Sequence, residues 1–259
     1  MLTENQHEAL AQILYQAYER CEPLTPLSGI YPQMETADSY AIQARLVARY
    51  GSSPVGYKLG FTSAVMREQM GVDEPNFGVL LAATRAIDEV AYKRFIHPLI
   101  EPEIAVVTGR DLAGDNVALE QIVAAVDSLH AAIEIVDSRF QDYRFQAVDN
   151  IADNSSAAGY CLGPGIEAES VSEPALLACR LIKNEQQIAE GRGVDAMGGP
   201  YQALQWLVHK LTEHGLGLPA GSLVLTGGLS RAQVAEPGDS FRVEFSDNLQ
   251  PVALRLVND

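Results

Sequence analysis

The sequence predicts an α+β fold in which an N-terminal helical appendage precedes a strand-rich body. Apolar residues recur at helical spacing up to about residue 50. Beyond that point the chain turns to short apolar runs bounded by Gly, Pro, Asp and Asn, which are typical of strands, and only two later segments return to helical spacing. These observations divide the 259 residues into a helical segment over 1–52 and a β-rich domain over 53–259.

The N-terminal segment is predicted to form two amphipathic helices. The first runs from Gln6 to Arg20, where apolar and polar residues alternate at helical spacing. After a connector rich in proline, Thr36 is a plausible N-cap for a second helix that ends at about Tyr50. We interpret these helices as a packing appendage rather than as a catalytic unit.

The body is predicted to consist of short strands, one hairpin turn and two helices. The candidate strands are Val55–Phe61, Glu103–Thr108, Ala131–Val136, Ala158–Leu162, Leu177–Lys183, Leu223–Leu225 and Phe241–Phe245. A hairpin turn is expected at Lys183–Gln186, and the helices at Leu119–Leu129 and Tyr201–His214.

Charge and composition exclude several classes of function. With 18 basic and 34 acidic residues the net charge is −16, so the surface repels nucleic acid and anionic lipid. No apolar run reaches the roughly 18 residues that a membrane span requires. The N-terminus lacks a basic and apolar leader, and the three cysteines are widely spaced, so we expect a cytoplasmic protein with reduced thiols.

Two acidic residues at the start of one candidate strand are the first chemical signal. Glu101 and Glu103 are two residues apart, so in extended chain their carboxylates project to the same face. Two adjacent anions repel each other unless a hard divalent cation neutralises them. The alternative is an exposed strand start with both carboxylates in water.

A third acid strengthens the metal interpretation. Glu134 interrupts an otherwise apolar strand, where an unpaired carboxylate is costly. Three carboxylates would hold Mg²⁺ or Mn²⁺ and leave about three positions of an octahedron for water and substrate, which is typical of a catalytic site. Asp137 is interpreted as the ion-pair partner of Arg139 in preference to a role near the metal.

A lysine and two polar loops add candidate substrate contacts. Lys58 lies in a strand flanked by glycines, where its charge could meet a substrate carboxylate or enolate, although a solvated surface lysine fits the segment equally well. The loop at 148–159 and the turn at 225–228 could orient an anion through hydroxyl and N–H groups, or be ordinary turns.

Taken together, these segments resemble the fumarylacetoacetate hydrolase superfamily, in its branch of hydratases and decarboxylases that process 2-oxo acids. The matching motifs occur in the family's order between about Ser39 and Val257, at Gly56–Ser63, Glu101–Ala105, Glu134–Arg139, Ala152–Ser156 and Leu225–Gly228. The resemblance implies a mixed β-roll, a divalent cation (Mg²⁺ or Mn²⁺) at Glu101, Glu103 and Glu134, and substrate contacts from Lys58 and the Ser155–Ser156 loop.

The candidate site residues follow from these motifs. The metal ligands are Glu101, Glu103 and Glu134; the catalytic candidates are Lys58, Asn76 and Asp153; the substrate-binding candidates are Ser155, Ser156, Thr226 and Gly227. The expected partner is a small 2-oxo dicarboxylate, with no nucleic acid and no membrane. We also expect a homo-oligomer, and an association with the related hydratase stays open.

The identity of residue 76 bears on which reaction the branch implies. Hydratases of this kind typically have an acid where this chain has Asn76, and the segments around Ile96–Pro98 and Asp137–Phe145 look more like the 2-oxo-3-hexenedioate decarboxylases. An amide cannot take a proton from water, whereas decarboxylation needs no water activation. Asn76 therefore favours decarboxylation, unless it only caps a turn in Pro75–Gly78.

Three alternatives remain at this stage. The protein could be a hydratase of 2-hydroxyalkadienoates, a hydrolase of 3-acylpyruvates, or a non-catalytic subunit that stabilises a partner enzyme. One departure from the family's pattern is Gly199, which stands where the family usually shows His before Pro200.

Overall fold

The computed structural model describes residues 1–64, 67–68 and 72–258 and places two β-sheets at the centre of the molecule. The helices described are α1 (Glu4–Arg20), α2 (Thr36–Arg49), α3 (Leu119–Ala125), α4 (Ala147–Ala152) and α5 (Pro200–Glu213). The mixed helix and sheet content confirms the predicted α+β class. Within the described part of the chain, no helix is long and apolar enough to cross a membrane.

The larger sheet has eight strands in a mixed arrangement. Its main path is β2-β1-β10-β4-β5-β6, with β11 paired to β4 and β7 paired to β5. The strands are β1 (Pro54–Gly60), β2 (Asn76–Leu81), β4 (Leu99–Thr108), β5 (Val126–Val136), β6 (Ala157–Leu162), β7 (Ile166–Glu167), β10 (Leu223–Leu225) and β11 (Gln233–Val234).

The smaller sheet has five strands in the order β3-β13-β12-β8-β9. They are β3 (Glu89–Ala91), β8 (Ala178–Lys183), β9 (Gln186–Arg192), β12 (Ser240–Phe245) and β13 (Val252–Val257). β8 and β9 form the predicted hairpin, with Asn184 and Glu185 in its turn at positive φ.

The two long strands β4 and β5 pair antiparallel and form the centre of the larger sheet. Because side chains alternate along a strand, one face carries Ile104, Ile133 and Ile135, which belong to the main core. Leucines of the amphipathic helix α5 join the same core. The opposite face carries Glu101, Glu103 and Glu134, so the alternation separates the core from the polar site.

The N-terminal helices pack against the body through a second apolar cluster. Leu14 and Leu46 from these helices share this cluster with Phe140 and Ala152 of the body. The side-chain amide of Gln43 in α2 donates hydrogen bonds to the carbonyls of Phe77 and Ile151, at 2.9 and 3.0 Å. The appendage is therefore joined to β2 and α4 by both apolar packing and buried hydrogen bonds. The division at residue 52 stays a prediction.

Three sequence predictions need correction. The N-cap of α2 is Glu35, and Thr36 is the first helical residue. The helix predicted at Leu119–Leu129 ends at Ala125, and β5 begins at Val126. The polar loop expected before β6 contains the helix α4. From Val126 onward the chain pairs antiparallel with β4 and forms a strand, although its local spacing is helical. Contacts with a distant strand therefore determine the secondary structure of this short apolar run.

Candidate metal and substrate site

Strand register brings the three predicted carboxylates together on one face of β4 and β5. Glu101 pairs directly opposite Glu134, while Glu103 lies two residues further along β4 on the same face. One carboxylate oxygen from each residue lies within 4.8 Å of the other two. Glu103 and Glu134 are fully buried and Glu101 is half-buried, so the alternative of a solvated strand start is excluded.

The pKa values of all three carboxyl groups are raised in the folded protein. Loss of hydration, followed by repulsion from Glu134, raises the pKa of Glu101 to about 7 against the opposing effect of Lys58. Burial likewise raises the pKa values of Glu103 and Glu134. Within the described chain, Glu103 Oε1 and Glu134 Oε2 are buried without a hydrogen-bond partner. Clustered carboxylate oxygens without donors are the ligands that a hard divalent cation needs.

Lys58 lies beside the carboxylates rather than at the surface. Its side chain is 4% exposed, and Nζ lies 3.1 Å from Glu134 Oε1. Nζ also donates to the carbonyl oxygen of Ser155 at 2.9 Å. Burial disfavours the charged form of Lys58, yet attraction from Glu134 and the two other carboxylates keeps its pKa above the ordinary value. With every carboxyl group ionised, three negative charges and one positive charge leave a net negative charge that a divalent cation would neutralise.

The turn after β10, at Gly227 and Gly228, lies directly beside the carboxylates. The backbone N–H of Gly227 donates to Glu103 Oε2 at 2.7 Å. A Cβ on Gly228 would lie 2.7 Å from Glu101 Oε2, so the absence of a side chain allows the turn to approach. The Thr226 hydroxyl donates to the Ile104 carbonyl at 2.7 Å and so supports β4. Contact of Thr226 or Gly227 with substrate stays a prediction.

Asn76 begins β2 and lies in a buried chain of polar side chains. Its Oδ1 accepts from the Ser155 hydroxyl at 2.8 Å, and its Nδ2 donates to Asn150 Oδ1 at 2.9 Å. Asn150 in turn donates to the Ser156 hydroxyl at 2.9 Å. These partners are distant in sequence, so the two side-chain hydrogen bonds of Asn76 are made to the site and not to a local turn.

The ion pair predicted between Asp137 and Arg139 is wrong. The Asp137 carboxylate accepts hydrogen bonds from the backbone N–H groups of Ile96 and His97, each at 2.8 Å. Arg139 pairs instead with Asp153, and both side chains are almost fully buried. Burial raises the pKa of Asp153 to about 6, although Arg139 opposes the shift. The structure thus gives the Asp153 carboxylate a structural partner outside the carboxylate cluster, and its catalytic role stays a prediction.

Sequence reasoning missed Asn150 and the close approach of the strands to the 154–156 turn. Asn150 sits in α4, a helix that lay inside a predicted loop, so its burial had no sequence signal. The departure at Gly199 has a conformational reason, because this residue is the N-cap of α5 at φ 140°, where a histidine would be strained.

Known proteins are similar to this chain over most of its length. The model of the fumarylacetoacetate hydrolase C-terminal family matches residues 63–256. A 2-keto-4-pentenoate hydratase of Paraburkholderia xenovorans (strain LB400) is 36% identical over 95% of this chain and 97% of its own length. A 4-oxalocrotonate decarboxylase of Pseudomonas putida is 33% identical over 99% of this chain and 98% of its own length.

Solved structures add a close match in three dimensions. The 4-oxalocrotonate decarboxylase from Pseudomonas putida G7, complexed with magnesium and adipate, has a TM-score of 0.96 and 32% identity, and the match covers 99% of both chains. A second structure of that decarboxylase, complexed with calcium and acetate, has a TM-score of 0.94. The relatives thus include decarboxylases and hydratases at similar identity.

Proposed function

The chain belongs to the fumarylacetoacetate hydrolase family, and from this premise we propose that it is a metal-dependent decarboxylase of 2-oxo-3-hexenedioate (4-oxalocrotonate). The products would be CO₂ and 2-hydroxypenta-2,4-dienoate. This reaction belongs to the meta-cleavage degradation of aromatic compounds, as the sequence resemblance implies. The substrate is a small 2-oxo dicarboxylate, which suits a buried site with positive charge at Lys58.

The proposed cofactor is Mg²⁺ or Mn²⁺ held by Glu101, Glu103 and Glu134. Support comes from the clustered carboxylates, their two unpartnered buried oxygens, and the magnesium and calcium complexes of a relative with 32% and 31% identity. When bound, the cation supplies Lewis-acid polarisation of the 2-oxo group. The Gly227 N–H holds Glu103 Oε2, which orients that carboxylate and leaves Oε1 free of protein donors in the described chain.

Decarboxylation breaks the bond between the distal carboxylate and its neighbouring carbon. That carboxylate belongs to a vinylogous β-keto acid, so CO₂ leaves while the electron pair moves into a dienolate whose oxygen then gains a proton. Lys58 places a buried positive charge beside the site, where it stabilises the oxygen anion as it develops. Leu80, Leu223 and Leu225 form a small buried cluster with Ala105, Ala132 and Tyr160, and the two alanines lie on the carboxylate face of β4 and β5. We propose that this apolar cluster limits water near the departing carboxylate.

The observation that carries the choice of decarboxylase is the environment of Asn76. Its amide is buried and bonded at both ends, to Ser155 and to Asn150, at the Lys58 end of the site. A hydratase needs a base that takes a proton from the attacking water, and an amide with these bonds cannot supply one. Decarboxylation has no such requirement.

A hydratase of 2-hydroxypenta-2,4-dienoate is the second candidate. The specific observation in its favour is the 36% identity with a 2-keto-4-pentenoate hydratase, slightly above the 33% identity with a decarboxylase. Both reactions would use the same carboxylates and Lys58, and they differ in the group that handles the proton.

An ultraviolet assay separates the two candidates. Purified protein is mixed with 4-oxalocrotonate or with 2-hydroxypentadienoate, each with and without Mg²⁺. We expect Mg²⁺-dependent loss of 4-oxalocrotonate and little or no hydration of the dienoate. Efficient hydration by the wild type would overturn the proposed reaction, and no Mg²⁺-dependent turnover of either compound would favour a non-catalytic subunit.

The expected assembly and location stay predictions. Light scattering of the protein alone, and after mixing with the related hydratase, would test the homo-oligomer and the association. Fractionation of the producing cells would test the expected cytoplasmic location.

A further inference from the structure

The turn that contacts Lys58 has an unusual backbone. Asn154, Ser155 and Ser156 are consecutive residues with φ of 53°, 54° and 55°. Residues with side chains rarely adopt the left-handed region, and three in succession persist only where the surroundings hold them. The sequence places no glycine in this turn, so its shape depends on the contacts that follow.

Two glycines allow the turn to lie directly on β1 and β2. A Cβ on Gly60 would approach the Ser155 hydroxyl to 2.5 Å, and a Cβ on Gly78 would approach the Asn154 carbonyl to 2.3 Å. Any side chain at either position would push the turn away. As a result the Ser155 carbonyl reaches Lys58 Nζ at 2.9 Å.

Besides the bonds of Ser155 to Asn76 and of Ser156 to Asn150, two further sets of contacts hold the turn in place. The Asn154 side-chain amide pairs with the backbone of Val79 in β2 as a neighbouring strand would. Its Oδ1 accepts from the Val79 N–H at 2.8 Å, and its Nδ2 donates to the Val79 carbonyl at 3.0 Å. Just before the turn, Asp153 is held by the buried Arg139, whose backbone N–H also donates to Asp153 Oδ2 at 3.0 Å. Asn154 therefore joins the turn to β2, and Arg139 joins it to the segment after β5.

We propose that the 154–156 turn is a positioning element for Lys58 and that Asn154 is its principal positioning residue. Lys58 Nζ is held on one side by Ser155, through its carbonyl oxygen at 2.9 Å and more distantly its hydroxyl oxygen at 3.5 Å, and on the other side by the Glu134 carboxylate. If the turn moves, the flexible lysine stem lets the ammonium follow the carboxylate alone and leave its working position. The Asn154 side chain bonds to Val79 and, within the described residues, makes no hydrogen bond to Lys58 or the carboxylates, so it acts through Ser155. This inference rests on the proposed role of Lys58 in the reaction.

The test compares the same substitution at two asparagines. Asn154→Ala removes both bonds to Val79, and we expect kcat to fall about 10- to 100-fold while KM changes by less than about twofold, because misplacement by an ångström is costly in catalysis. Calorimetric Mn²⁺ affinity should stay unchanged, since the carboxylates are untouched.

Asn184→Ala is the matched control. Asn184 also has positive φ, and its side chain makes three bonds beside the smaller sheet: it donates to Asp239 and accepts from the N–H and the hydroxyl of Ser240. We expect Asn184→Ala to lower the melting temperature to a similar extent and to leave kcat unchanged. An equal kcat for the two variants, or an effect of Asn154→Ala on KM alone, would overturn the proposal.

A second variant and a structural measurement keep the inference testable in every case. Asn154→Gly deletes the side chain but adopts positive φ without steric cost, so it serves if the alanine variant does not fold. Kinetics are measured on whichever 2-oxo acid the wild type turns over. If the wild type turns over none, the proposed function fails, and a crystal structure of Asn154→Gly decides the positioning role. Displacement of Lys58 Nζ from Ser155 O supports it, and retention of the 2.9 Å contact refutes it.

Discussion

Replacing Lys58 by methionine removes the buried positive charge and keeps most of the side-chain volume. At 3.1 Å, with an effective dielectric constant of about 20, the attraction between the ammonium and Glu134 is about 5 kcal/mol, which shows how strongly a charge at this position acts on a nearby anion. Loss of one preorganised donor to a developing oxygen anion typically costs about 3–4 kcal/mol. We therefore expect kcat to fall about 10²- to 10³-fold.

The assay follows the loss of 4-oxalocrotonate by ultraviolet absorbance in saturating Mg²⁺, with melting temperature measured under the same conditions. Lys210→Met is a suitable control, because Lys210 likewise forms ion pairs with carboxylates, those of Glu74 and Glu213, but lies outside the site. We expect full activity from this control. If Lys58→Met keeps its kcat and shows only a higher KM, Lys58 binds substrate without stabilising the reacting dienolate, and the reasoning fails.

Four further predictions concern the carboxylates, the metal and Asn76. Glu101→Gln, Glu103→Gln and Glu134→Gln should each abolish activity in a folded protein, because an amide removes the charge that the cation needs; undiminished Mn²⁺ binding in all three by calorimetry would refute the site. Affinity for Mn²⁺ should decrease as the pH is lowered below about 7, because the raised pKa of Glu101 lets a proton compete with the metal for this carboxylate. An affinity that stays constant between about pH 5.5 and 7.5 would contradict this prediction. The same shift makes the metal-free protein less stable as pH rises from about 4.5 to 7, since the folded carboxyl binds the proton more tightly than the unfolded one; urea titrations at several pH values measure this. Asn76→Asp should slow decarboxylation by adding an anion and introduce some hydration, whereas unchanged rates for both substrates would return Asn76 to a purely structural role.

The carboxylate cluster could be predicted from sequence because its residues break an apolar pattern. Glu134 interrupts a strand that is otherwise buried, and Glu101 and Glu103 share a face by simple alternation. Local spacing therefore located all three, and only the register of β4 against β5 was needed to bring them together. Lys58 had a weaker signal, since glycines beside a lysine fit both a surface and a buried position.

Other features depend on contacts that the local sequence does not encode. Arg139 lies two residues from Asp137 but fourteen from Asp153, and only the folded chain shows that it pairs with the distant acid. The strand β9 is mostly exposed and polar, so it lacks the apolar alternation that identifies a strand. The left-handed turn at 154–156 had no signal either, because left-handed turns are usually marked by glycine.

The two hydrogen bonds from Gln43 have a consequence for protein engineering. This side chain lies in α2 and joins the carbonyls of Phe77 and Ile151, each of which is adjacent in sequence to an asparagine of the buried polar chain. We therefore expect that the first 52 residues, which the sequence predicts to be a separate segment, are not an interchangeable module. A chimera that takes this segment from a relative would need to retain a glutamine in register with β2 and α4, or redesign both backbone contacts together.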